Sequence, residues 1–305
     1  MSAMVLTLVA APGAAEVEVA AQAAVDALRR LGARVSPITP LAEGIACDIP
    51  FDDLDADQAD AAARAALDFR PGIDLVAQPE AGRRKRLLVA DMEATIIENE
   101  MLDELAAIAG IGPEIAQITR RAMNDEIDFA TALRQRVALL KGLPESALAE
   151  AEARIRVTPG ARELVATMRA NGAYTVLVSG GFGRYSGGVR DALGFDRDIA
   201  NELIIEEGRI AGRLREPILG RDAKLESLKR VAAEQGLPLA ATLAVGDGAN
   251  DMAMVAAAGL GVAFHAKPAL RQRARCLIDH ADLTALLYVQ GYRDEEIVRG
   301  ACRAD

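Results

Sequence analysis

Leu87-Leu-Val-Ala-Asp91-Met-Glu93-Ala-Thr95 decides how this chain is read. A continuous apolar run of four residues closed by an acidic one has the form of a strand buried on both faces, the kind found in parallel sheets. A second run, Ala241-Thr-Leu-Ala-Val245, has the same form and leads into Gly246-Asp247-Gly-Ala-Asn250-Asp251. In open α/β sheets ligands bind beyond the carboxyl ends of the strands, where Asp91 and Asp247 would stand. Carboxylates gathered there repel one another unless a hard cation such as Mg²⁺, suited to oxygen-only ligands, joins them. Any one of these aspartates is also explained as turn chemistry; the set is harder to explain that way.

Around the two runs the pattern predicts two domains. Residues 1–82 read as strand 5–10, helix 14–31, strands 33–38 and 45–50, helix 56–68 and strand 73–77, an α+β sandwich of the ferredoxin-like kind. Gln78 to Gly82 breaks both periods and reads as a linker. Residues 83–305 form the second domain. From about 98 to 157 the pattern is wholly helical, with helices expected at 101–109, 113–123, 129–140 and 144–153. An insertion there, right after the first strand, forms a cap over the site. Beyond Thr158-Pro-Gly160 strands and helices alternate, which predicts a Rossmann-like parallel sheet.

Composition narrows the function. The 305 residues carry a formal net charge of -10, which argues against a nucleic-acid partner. Arg83-Arg-Lys-Arg86 reads as a solvated linker. The run from Met4 is too short to span a bilayer and lacks a basic flank, so no membrane is expected. Cys47, Cys276 and Cys302 are odd in number and point to a reducing, cytoplasmic setting. Two histidines, His265 and His280, exclude a histidine-built zinc site.

Four pieces carry chemistry. Asp91 at a strand tip can attack phosphorus and form an aspartyl-phosphate. Glu93, two residues on, returns to the same face and can protonate a leaving alkoxide, then activate water. Ser179-Gly180-Gly181, read as a strand-to-helix turn, offers a hydroxyl and bare N–H groups to a phosphate. Lys224 adds a fixed positive charge.

With those residues in view, the chain resembles the haloacid dehalogenase superfamily and, within it, the phosphoserine phosphatases. The resemblance runs from about 84 to 287, including Ile97 to Ala106, Ile118 to Met123, Asp128-Phe129, Leu133 to Val137 and Val178 to Phe182. Residues 1–82 resemble, more weakly, an ACT-like regulatory domain, which implies ligand sensing or dimer formation. The resemblance implies Mg²⁺-dependent hydrolysis of the small phosphomonoester O-phospho-L-serine, the last step of L-serine biosynthesis. Asp91 would be the nucleophile. Mg²⁺ would be held by Asp91, the backbone carbonyl of Glu93 and Asp247, supported by Asn250 and Asp251. Ser179 and Lys224 would bind phosphate, Glu100 the substrate ammonium and Arg136 its carboxylate. Met123, Phe129, Gly180 and Gly181 would line the pocket.

The sequence departs from the family pattern Asp-x-Asp-Ser-Thr at Glu93 and Ala94. The longer acid leaves two alternatives open: action on another small phosphoester, by hydrolysis or transfer, or an impaired enzyme serving as an amino-acid-binding regulator. The polar Gly183-Arg-Tyr-Ser186 is a further departure and bears on substrate scope.

Overall fold

The protein is described here from a computed structural model, which covers residues 3–14, 17–67, 72–123, 126–220 and 222–299. Cys302 and the side chain of Met123, an expected pocket residue, lie outside what is described.

The N-terminal unit runs β1 (Met4–Ala10), α1 (Val17–Arg30), β2 (Arg34–Val35), β3 (Thr39–Ala42), β4 (Ala46–Asp52), α2 (Ala56–Leu67) and β5 (Ile73–Pro79). Its antiparallel sheet has the order β2-β4-β1-β5, with β3 also on β4. With β2 and β3 taken as one interrupted strand along β4, this is the βαββαβ arrangement of a ferredoxin-like sandwich. The expected strand 33–38 shortens to β2, ending ahead of Pro37, which cannot donate to a ladder, and the short β3 at 39–42 lies outside the expected elements. β1 is buried along its whole length rather than alternating. Helices α1 and α2 cover one face of the sheet, where Leu6, Leu8, Ala24, Leu28 and Ile49 form a core. The opposite face sends Val9, Ala46 and Val76 into the core of the rest of the protein.

The expected linker is correspondingly short. Gln78 and Pro79 belong to β5, and the Gln78 amide donates to the Val289 carbonyl at 2.7 Å. The basic cluster behind it is no solvated linker either. Arg83 pairs with buried Asp48 at 2.6 Å, Arg84 pairs with Glu296 and lies over the Tyr292 ring, and Lys85 is buried. Arg83 thereby fastens the two units together, while Arg84 and Lys85 hold the start of the second unit against its own Glu296 and Ala240 carbonyl.

The second unit opens on β6 (Leu87–Asp91) and continues through α3 (Met101–Ala109), α4 (Gly112–Met123), α5 (Phe129–Leu139) and α6 (Glu145–Glu152). α7 (Ala161–Ala170), β7 (Tyr174–Phe182), α8 (Gly183–Leu193) and β8 (Arg197–Asn201) follow, then the hairpin β9 (Leu203–Glu206) and β10 (Arg209–Leu214). The chain completes with α9 (Ala223–Glu234), β11 (Thr242–Gly246), α10 (Met252–Ala257), β12 (Leu260–Phe264), α11 (Pro268–Arg271), β13 (Cys276–Ile278) and α12 (Ala285–Val289). The sheet order is β13-β12-β11-β6-β7-β8, and every pairing is parallel. Its edge strands were not read from sequence: β8 is mostly half-exposed and mixed in polarity, and β13 has three residues.

α3 to α6 form the cap between β6 and α7. Where the chain leaves and re-enters the core, Ile97 bridges Val157, and the Glu98 N–H donates to Arg156 O at 2.9 Å. The cap rests on the β9–β10 hairpin, where a Cβ on Gly212 would stand 2.8 Å from Lys141 Cβ. Arg184 of α8 reaches Glu145 and Glu152 of α6.

Candidate active site

β6 and β11 lie side by side at the centre of the sheet, so Asp91 and Asp247 emerge together at its carboxyl edge. One Asp91 oxygen accepts the Met92 N–H at 2.8 Å, and the other pairs with Lys224 Nζ at 2.7 Å. Lys224 also meets Asp251 at 2.5 Å. Asp251 is fully buried and accepts the N–H groups of Asp247 and Gly248 at 3.2 and 2.9 Å. It therefore ties the turn after β11 to the lysine. That turn needs glycine: a Cβ on Gly246 would lie 2.2 Å from Asp251 Cγ.

The electrostatics are those of an acidic cluster short of positive charge. Burial, then the neighbouring Asp251, push the Asp91 carboxyl well above its usual range, against the pull of Lys224. Burial likewise raises Asp247, with Lys267 opposing. Burial opposes the Lys224 ammonium, yet Asp91 and Asp251 hold its pKa above the ordinary lysine value. Oxygens of Asp91, Asp247 and Asp251 lie within 4.8 Å of one another. Three carboxylates that close, with only oxygen to offer, fit a hard divalent cation.

Glu93 lies past the end of β6 in a tight turn whose next residue, Ala94, has a φ of 52°. One of its oxygens accepts the Met101 N–H at 2.8 Å, at the start of the first cap helix, and the other lies 3.4 Å from Ser179 Oγ. The longer arm thus spans from the core to the cap. Burial and the charge of Glu100 raise this carboxyl to about 7, although the Met101 N–H works the other way.

Ser179, Gly180 and Gly181 are not at a helix start. β7 continues through Phe182, because Asn201 of β8 pairs with Phe182 and its amide donates to Gly180 O at 2.8 Å. Ser179 Oγ accepts the Gly181 N–H at 2.9 Å. Phe129 closes over Gly180, where a Cβ would come within 3.2 Å of its ring. Phe129, Ser179, Gly180, Leu219, Lys224 and Asn250 line one small pocket between cap and core. Leu219 was not anticipated; it sits in a loop with no distinguishing sequence signal.

The cap residues are less tightly fixed. Arg136 is half-buried and shares its surroundings with Asp103, Glu93 and Glu100; burial lowers its pKa, and those acids oppose the shift. Glu100 is largely exposed and meets Lys267 at 3.3 Å. Lys267 also meets Asp247 at 3.0 Å and was missed in the sequence, although the end of a strand neighbouring β11 is where a site residue is expected. The polar segment 183–186 is not part of the pocket lining: Ser186 is buried against Asp198 at 2.6 Å, and Tyr185 is buried in the core, near enough to Glu93 to feel its charge.

A sheet whose central strand ends in an aspartate, roofed by a helical insertion and flanked by a lysine and further acids, defines a class of phosphoryl-handling hydrolase. The family model for haloacid dehalogenase-like hydrolases matches residues 88–256, and the chain belongs to that family. Within it, a phosphoserine phosphatase of Streptomyces coelicolor is 43% identical over 73% of this chain and 54% of its own length. One from Streptococcus thermophilus is 43% identical over 67% of this chain and 95% of its own length. The solved structure of a phospho-aspartyl intermediate analogue of phosphoserine phosphatase is 39% identical with a TM-score of 0.63, covering 67% of this chain and 98% of that one. The chain spans 53–64% of the first curated relatives it matches. Among the described residues no helix is long and apolar enough to cross a membrane.

Proposed function

We propose that this protein is a Mg²⁺-dependent phosphatase that hydrolyses O-phospho-L-serine to L-serine and phosphate. The observation that carries the reading is Asp91 at the tip of the central strand, with Lys224 on one carboxylate oxygen and Glu93 enclosed beneath the cap. The names of the relatives supply the substrate. We divide the chain into an ACT-like domain, residues 1–82, and a catalytic domain, residues 83–305, with the cap at about 98–157. A cytoplasmic setting belongs to the same reading, supported by the free thiols of Cys47 and Cys276.

Asp91 attacks phosphorus, forming an acyl-phosphate bond as the ester P–O bond breaks. Glu93, a carboxylic acid near neutrality, gives its proton to the departing serine oxygen. Its carboxylate then takes a proton from water as that water attacks the phosphorylated Asp91, releasing phosphate and restoring both residues. Lys224 and Ser179 hold the phosphoryl oxygens where negative charge gathers. Asp91, the Glu93 carbonyl and Asp247 would hold Mg²⁺, which supplies charge neutralisation at the phosphoryl group, while Asp251 and Asn250 shape the turn beneath. Arg136 offers a guanidinium fork to the substrate carboxylate, and Glu100 an anion to its ammonium.

Purified protein should release phosphate from O-phospho-L-serine in the presence of Mg²⁺, and Asp91→Asn should lower that rate by more than about 10³-fold. Equal turnover of phosphoethanolamine or phosphothreonine would point to another small phosphoester. No turnover by the wild type, with hydrolysis gained by Glu93→Asp, would mark a binding protein instead.

A further inference from the structure

A carboxylate of the N-terminal sheet is connected to the acidic cluster by hydrogen bonds joined through two short stretches of backbone. Asp74 in β5 is buried and accepts three successive N–H groups from the turn after β13: Asp279 at 2.8 Å, His280 at 3.1 Å and Ala281 at 2.8 Å. The Ala281 carbonyl lies 2.9 Å from His265 Nε2, and the His265 N–H donates to Ile278 O at 2.8 Å. His265 holds a φ of 43°, a left-handed conformation that persists in a non-glycine residue only when its surroundings fix it. Two residues on, the Lys267 N–H donates to Asp247 O at 2.8 Å, while its ammonium stands 3.0 Å from Asp247 and 3.3 Å from Glu100.

We propose that Lys267 tunes the catalytic centre, favouring the anionic substrate at the expense of the divalent cation, and that Asp74 is the positioning residue that sets where its ammonium stands. The substrate half of this rests on the function proposed above; the cation half does not. An ammonium beside Asp247 repels an incoming cation and attracts an incoming phosphoester. Lys267 is more than half exposed, so salt screens both effects and they are modest. Asp74 acts by ordering the turn that fixes His265. Without it the lysine spreads over rotamers and its charge leaves the cluster.

The test is a double-mutant cycle on the full chain, reading Mn²⁺ affinity by calorimetry without substrate alongside KM and kcat for phosphoserine. Lys267→Met should bind Mn²⁺ about three- to tenfold more tightly and raise KM by a similar factor, with kcat changed less. Asp74→Ala should move both in the same direction by a smaller factor, and adding it to Lys267→Met should do nothing more. An Asp74→Ala effect undiminished in the Lys267→Met background overturns the proposal, as does unchanged Mn²⁺ affinity in both single variants. If Asp74→Ala fails to fold, His265→Gly allows the left-handed backbone and removes the ring's contact with the Ala281 carbonyl, together with its packing on the Phe264 ring. It must then shift Mn²⁺ affinity the same way, and an unaltered value overturns the proposal. Should the wild type fail to hydrolyse phosphoserine, the functional reading fails while the Mn²⁺ measurements still decide this one.

Discussion

Asp91 Oδ2 and Lys224 Nζ stand 2.7 Å apart with both side chains almost wholly withdrawn from solvent. The lysine is shared with Asp251, so one ammonium serves two buried carboxylates. A buried pair of this kind adds little stability over an apolar substitute, but breaking it leaves an unbalanced charge behind. The same contact that threatens stability keeps a cation beside the proposed nucleophile.

Lys224→Met should therefore damage the protein twice. Two uncompensated carboxylates should cost about 3–5 kcal/mol in denaturant unfolding, and phosphate release should fall by at least about 10²-fold. Unchanged unfolding would show that Lys224 is not the counter-charge the distances indicate.

Glu93 should leave its mark on stability against pH. Its carboxyl titrates at about 7 in the folded protein against an ordinary 4.5, so the folded state binds the extra proton between those values. Stability from this group is complete below about 4.5 and is lost as pH rises through 7. In chelator-treated protein the melting temperature should fall across that window, and Glu93→Gln should flatten the decline. Asp91 and Asp247, also raised, slope the same way, so the readout is the difference between the two proteins.

Gly181→Ala should impair turnover with little effect on folding. A Cβ there would stand 2.8 Å from a Glu93 carboxylate oxygen and 3.1 Å from Ser179 Oγ, displacing the acid and the hydroxyl together. We expect kcat to fall about 10–100-fold, consistent with a displacement near 1 Å. Normal kcat in a crystallographically confirmed variant would remove Glu93 from the proton-transfer role.

Arg136→Lys should separate the parts of the substrate. Replacing a planar fork by a point charge should raise KM for phosphoserine about tenfold or more, while phosphoethanolamine, which lacks the carboxylate, should be processed as before. Equal losses on both would place Arg136 in cap packing.

Much of this arrangement is legible in the chain itself. The cap helices lie within a residue or two of their expected positions because Gly110, Pro113, Gly142 and Pro144 punctuate them. Ser179 and Gly181 stand beside Glu93, but in an extended strand end where a strand-to-helix turn was expected. Nothing in Val-Ser-Gly-Gly-Phe announces that Asn201, on a mixed-polarity edge strand, will hold it extended.

The sequence alone determined that acids stand at the ends of the two central strands. Apolar runs buried on both faces must end in turns, and the acids placed at those ends, Asp91 and Asp247, share one edge of a parallel sheet. Tertiary structure decided what each of them meets. Glu93 reaches the cap, Lys224 divides itself between two carboxylates, Lys267 joins core to cap, and Asp74 reaches the turn after β13 from another sheet. The physical reason is that strand periodicity and apolar burial are local to a segment, whereas an ion pair depends on two distant segments folding to within a few ångströms.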